Sequence, residues 1–273
     1  MRVTALVFAA GTAFLACLLL LSAYLAHQVD LEFKKRAVQA SERISNTDYW
    51  ANNDGSVISM DSLSVLSTQD VERLTPPTTE KNAQYLRVWE TDGSTAQAAT
   101  ALGSDLKHHF VQGYLSGFMP FDADELWIPH YTIALRKSYM YDKDQYSGYK
   151  DVWQNSIEAY SNTRGDCEDH SIILCDWLNA LGYEARVATG LHGTSGHAWV
   201  VVYLNDEAFI LEATQKSNLK NNHHYPLASI LPDYKPSLMF DLDHFYLPAN
   251  PNRINHDRES WVKSSFLERN VSL

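Results

Sequence analysis

Cysteine is scarce, with 3 residues in a chain of 273. Cys17 lies in an apolar run, and Cys167 and Cys175 stand close together in a segment with helical periodicity. Two helical turns hold such a pair about 12 Å apart, beyond disulfide reach. A disulfide framework is therefore excluded, and the cysteines do not fix a redox compartment. Positive charge is also short: 22 Lys and Arg stand against 33 Asp and Glu, a net charge of −11. No basic stripe offers a surface for phosphates, so no nucleic-acid partner is expected. Zinc-ligand spacing of Cys and His is missing, as are internal repeats and coiled-coil heptads. The adjacent pairs His108-His109 and His223-His224 lack a ligand set and read as surface histidines. Aromatics are plentiful, 7 Trp and 15 Tyr, and 45% of residues are hydrophobic. That suffices for one sizeable core.

Residues Val3 to Ala26 carry no charge. About 20 apolar residues span a bilayer. The exit from this run, Ser22-Ala23-Tyr24-Leu25-Ala26, lacks the small-x-small pattern of a cleaved signal peptide. Residues 1–26 thus read as a transmembrane signal anchor of a single-pass membrane protein. Arg2 and the α-amino group favour the N-terminus inside, which makes the body extracytoplasmic, periplasmic in a bacterium. Residues 27–104 read as a juxtamembrane helix and a polar linker region, with a short strand at Gln84 to Glu90. Residues 105–273 read as the catalytic domain. Its tail beyond Ser217 holds Pro226, Pro232, Pro236, Pro248 and Pro251, and is expected to run in surface loops.

The densest signal is "TRGDCEDHSIILCDWLNALG", Thr163 to Gly182. Leu174, Trp177, Leu178 and Leu181 recur at i, i+3, i+4 and i+7, one face of a helix. Gly182 suits the position after its last turn. Asp166 is the expected N-cap, with Asp169 in the capping-box position. Cys167 then sits in the first turn. Unpaired N–H groups and the helix dipole there favour a thiolate, while Asp166, Glu168 and Asp169 oppose it. His197 opens the β-rich "HAWVVVYL", and Glu212 follows in "AFILEAT". A two-residue turn at Asn205-Asp206 pairs Leu204 with Glu207 and makes Glu212 a diagonal neighbour of His197. A thiol, an imidazole and a carboxylate in this relation form a nucleophile, base and orienter. The order helix, strand, strand, strand predicts an α+β fold.

The segments "GDCEDH", "HAWVVVYL" and "LEAT" resemble the three motifs of the transglutaminase-like superfamily, in its chain order. The "GDCED" form resembles the superfamily's bacterial cysteine proteinases. The likeness covers about Asp151 to Thr214. It implies a papain/transglutaminase-like core, with a nucleophile helix packed on an antiparallel sheet. It implies Cys167 as nucleophile, His197 as base and Glu212 as orienting carboxylate, where the family usually has Asp. The implied activity is that of a cysteine peptidase or acyltransferase. It acts on a protein or peptide substrate, such as a cell-envelope protein, through a Cys167 acyl-enzyme. The alternative is a non-catalytic binding module at the cell envelope. No cofactor is required by this chemistry. In adhesin-cleaving relatives, acids flanking the Cys bind calcium, and Asp166 and Glu168 hold those positions here. The superfamily often uses a Trp or Gln to stabilise the oxyanion; Trp127, Trp153 and Gln154 are the candidates, and spacing does not choose among them. His170 reads as structural or modulatory.

Overall fold

The computed structural model describes residues 17–22, 24, 49–60, 65–74, 87–90, 97–216 and 224–270. Thr47–Leu273 forms one compact unit and Met1–Asn46 another. In chain order the strands are β1 (Gly55–Ser59), β2 (Val65–Ser67), β3 (Arg87–Glu90), β4 (Gln97–Leu102), β5 (His108–Phe110), β6 (Ser138–Tyr139), β7 (Arg164–Gly165), β8 (Glu184–His192), β9 (Ser195–Leu204), β10 (Glu207–Leu211), β11 (Tyr234–Phe240), β12 (His244–Pro248) and β13 (Trp261–Arg269). Eight of them form one sheet in the order β10-β9-β8-β11-β12-β13-β1-β2. Every neighbouring pair in it is antiparallel. β3, β4 and β5 make a second sheet, and β6 and β7 a short parallel pair. The mixed helix and antiparallel-sheet architecture expected from the sequence is present.

The helix Cys167–Ala180 packs on β8 and β9. Its sequence shows one apolar face, yet Ser171 to Leu178 are all buried. The helices Trp127–Arg136 and Ser156–Ser161 cover its other side. Polar residues caught inside must then find partners. Asp176 accepts from the backbone N–H groups of Ser116, Gly117 and Phe118 at 3.0, 2.8 and 3.0 Å. The helix stops as expected. Gly182 takes φ +89°, and Tyr183 N–H returns to the Leu178 carbonyl at 3.0 Å, which closes the helix end with a left-handed residue. The β9–β10 hairpin also follows the sequence. Leu204 pairs with Glu207, and Asn205 and Asp206 take φ of 50° and 64°, the twist that a two-residue hairpin turn requires.

Other expectations change. β1 lies between β13 and β2, so the stretch read as linker contributes a strand to the same sheet. The tail read as loops supplies β11, β12 and β13. Its prolines are compatible because Pro236 sits where the β8–β11 register shifts and Pro248 ends β12, positions that spare a ladder N–H. Of the expected membrane anchor, Cys17–Ser22 and Tyr24 are described, as helix; the rest, and the juxtamembrane helix, lie outside the described residues. Among the described residues no helix is long and apolar enough to cross a membrane. The single-pass placement with an extracytoplasmic domain is corrected accordingly, since a span needs about 20 apolar residues in one helix.

His108 and His109 are buried rather than superficial. The His109 ring stacks on Trp50 at 3.4 Å. Its Nε2 lies 3.0 Å from Asp105 and its Nδ1 3.4 Å from Asp54. Burial opposes its charge, but the hydrogen bonds to Asp105 and Asp54 prevail and raise its pKa. The stability it contributes is complete below the unfolded value of about 6.5 and is lost as pH rises through the folded one. The stability gap between wild type and His109→Gln, from urea midpoints, should therefore shrink as pH rises above about 6.5.

Candidate active site

The start of the Cys167–Ala180 helix is set by its approach. β7 pairs in parallel with β6, Tyr139 opposite Gly165. Lys137, just before β6, is buried, and its Nζ donates to the carbonyls of Ala159, Asn162 and Arg164 at 2.8, 3.2 and 3.3 Å. Burial lowers its pKa to about 8. Gln154 braces the same approach: its Nε2 donates to the Arg164 carbonyl at 3.0 Å and its Oε1 accepts from Asn162 at 3.2 Å. Its backbone N–H donates to Asp169 Oδ1 at 2.8 Å.

The expected capping box does not form. Asp166 occupies the N-cap position without a side-chain capping bond, and Asp169 is taken by Gln154. Asp166 instead joins Glu168 and Asp142. Each of these buried carboxylates offers an oxygen, and the three lie within 4.8 Å of one another. Oδ1 of Asp142, Oδ1 of Asp166 and Oε1 of Glu168 are buried without a hydrogen-bond partner. Burial, then the charge of Asp166, pushes Asp142 up to about 8. The same two causes hold Glu168 well above the carboxylate range. Burial also raises Asp166. Three buried, unpartnered acidic oxygens form a hard-donor set that fits a cation such as calcium. Asp142 carries no sequence signal, because the β6–β7 pairing brings it in.

Cys167 is partly exposed, whereas Cys175 is buried, with its thiol pushed well above the usual range by burial. The Cys167 Sγ donates to Glu168 Oε2 at 3.3 Å. His197, on β9, lines the same cleft as Cys167, a volume of about 460 Å³ walled by Tyr139, Tyr141 and Trp153. His197 Nε2 lies 2.8 Å from Glu212 Oε2. Glu212 stands one residue beyond β10 and also accepts at Oε1 from Thr214 N–H at 3.1 Å and Thr214 Oγ1 at 2.5 Å. Burial opposes its ionisation, but the His197 hydrogen bond outweighs it, and its pKa falls to about 2. Glu212 is thus an acceptor, so Nε2 of His197 carries the proton and Nδ1 is the nitrogen left for the thiol. Burial opposes the imidazolium, but the hydrogen bonds to Cys167 and then Glu212 raise His197 to about 10.

Cys167 and His197 thus line one cleft, with Asp166 and Glu168 beside them, and Glu212 bonds the His197 ring. Of the oxyanion candidates, Trp153 alone lines the cleft, and its Nε1 donates to Asp151 at 2.8 Å. Trp127 starts the Trp127–Arg136 helix, outside the lining. His170 is fully buried, and burial holds it near 2, neutral.

Residues 151–257 match the family model of the CEP76 peptidase-like domain, a stretch that holds Cys167, His197 and Glu212. A curated relative, centrosomal protein of 76 kDa from Xenopus tropicalis, is 30% identical over 90 residues, 33% of this chain and 13% of its own. The match thus spans a small part of that relative's length. Among solved structures, LapG of Legionella pneumophila is similar at 25% identity over 45% of this chain and 65% of its own, with a TM-score of 0.37. Its calcium-bound form is similar at 23% identity over 50% and 75% of the two chains, with a TM-score of 0.36. Likeness at that level decides nothing about the site.

Gly165 has no room for a side chain. A Cβ there would collide with the Asp169 carboxylate. Gly165→Ala should cost about 1–3 kcal/mol by overpacking, measured by urea unfolding, with the larger Gly165→Val costing more.

Proposed function

We propose that this chain is a thiol peptidase of transglutaminase-like type, acting on amide bonds of a protein or peptide. The observation that carries the reading is the 2.8 Å contact of an ionised Glu212 with His197, a residue that lines the cleft together with Cys167 at a helix start. The match of residues 151–257 to a peptidase-like family model supports it. The Cys167 proton resides on His197 Nδ1 in a thiolate–imidazolium pair, and the sulfur attacks the substrate carbonyl. Unpaired backbone N–H groups at the helix start would stabilise the oxygen that becomes negative. The imidazolium gives its proton to the departing amine, which leaves an acyl-Cys167. Water, deprotonated by His197, then frees the acid and restores the thiol. Glu212 holds the ring in one tautomer throughout.

Asp142, Asp166 and Glu168 would hold a divalent cation, calcium by the hardness of the donors. Bound there, it would supply positive charge beside the thiol, where the carboxylates otherwise oppose a thiolate.

Iodoacetamide should label Cys167 at least about a hundredfold faster than the buried Cys175, and His197→Ala should slow the labelling of Cys167 by at least about tenfold. Equal labelling of both cysteines would overturn the enzyme reading and leave a binding module. Calcium at about a hundredfold excess over its dissociation constant should raise the Tm by about 5 °C. Asp166→Asn and Glu168→Gln should show no such shift.

A further inference from the structure

Glu212 is one methylene longer than the aspartate usual at its position, and it stands beyond the last paired residue of β10, Leu211. Neither the ladder nor a short side chain fixes its carboxylate. Its neighbours do. Oε1 is taken by both donors of Thr214. Oε2 receives His197 Nε2 at 2.8 Å and, on the same oxygen, the hydroxyl of Tyr234 at 2.9 Å. Tyr234 opens β11 and pairs with His192 on β8. Its ring stacks on the His192 ring, centroids 4.2 Å apart and 18° between planes. The His192 ring in turn lies 5.6 Å from that of His197. The phenol bonds the oxygen that Thr214 does not, from a strand that contains neither the imidazole nor the carboxylate. Burial and the Glu212 charge push the phenol pKa upward, so the hydroxyl remains a donor.

We propose that Tyr234 is a positioning residue, which locks the Glu212 carboxylate in the one rotamer that aligns His197 with Cys167. The proposal rests on the thiol-peptidase reading of the site. Four donors on two oxygens leave the carboxylate no freedom to swing, and this compensates the extra methylene. Cys167, Glu212, His192 and Tyr234 are the titratable groups that face His197. Tyr234 reaches the sulfur only through Glu212 and the imidazole.

The test uses the full chain and needs no substrate. Tyr234→Phe keeps the ring stacked on His192 and deletes the hydroxyl. Its far-UV circular dichroism should match wild type, while iodoacetamide alkylation of Cys167 slows about tenfold, the worth of one hydrogen bond to a charged group. In a Glu212→Gln background the same change should cause no further slowing. The downfield Nε2–H proton resonance of His197 should be visible in wild type and lost to exchange in Tyr234→Phe. Equal slowing in both backgrounds, or an unchanged rate with the resonance intact, would overturn the proposal while leaving the thiol-peptidase reading standing. That reading falls separately, if His197→Ala alkylates at the wild-type rate.

Discussion

Acidic groups are crowded around the Cys167 thiol. Asp142, Asp166 and Glu168 meet at the start of one buried helix, whose first turn also holds Asp169, and every one of them has its pKa raised. A helix start stabilises a thiolate by its dipole, but by no more than a few nearby carboxylates take away. Two devices offset those acids. One is the imidazolium of His197, held by an ionised Glu212 across the cleft. The other is the set of unpartnered carboxylate oxygens, which under the proposed reading would receive a cation. Much of the surrounding architecture, from Lys137 with its three carbonyls to the Gln154 brace, serves to hold the approach to this crowded turn.

The sheet does the complementary work. β8, β9 and β10 follow one another as hairpins, so their register is set by local turns. That places His197 and Glu212 to within a side-chain length with little long-range information. β11 is different. It arrives from far along the chain and inserts beside β8, and this insertion puts the Tyr234 hydroxyl on the shared oxygen. The site is therefore part local and part imported.

That division also explains what could be read from the sequence. The helix from Cys167, its stop at Gly182, the turn at Asn205-Asp206 and the contact of His197 with Glu212 all rest on short-range periodicity and spacing. Those signals were legible. Asp142 and Tyr234 were not, because each reaches the site through strand pairing between distant segments, which leaves no local pattern. The strands of the tail were hidden by their prolines, which sit at a bulge and a strand end. His109 looked superficial because nothing in the sequence around it announces a buried slot between Asp54 and Asp105. The capping box was expected from residue types alone, and the buried cluster outcompeted it for Asp166.

β1, near the beginning of the compact unit, pairs along its full length with β13, near the end: Gly55 opposite Arg269 and Ser59 opposite Ser265. This seam joins residues more than two hundred positions apart, so its closure carries a large loop-entropy cost and slows folding. On the ribosome, residues 55–59 emerge long before their partner exists. The strand must wait, with β2 as its sole neighbour, until residues 261–269 have been made. The helix, the β8–β10 hairpins and the cleft between them can assemble during that wait. The half that holds the cleft can thus form before the seam that seals the sheet closes.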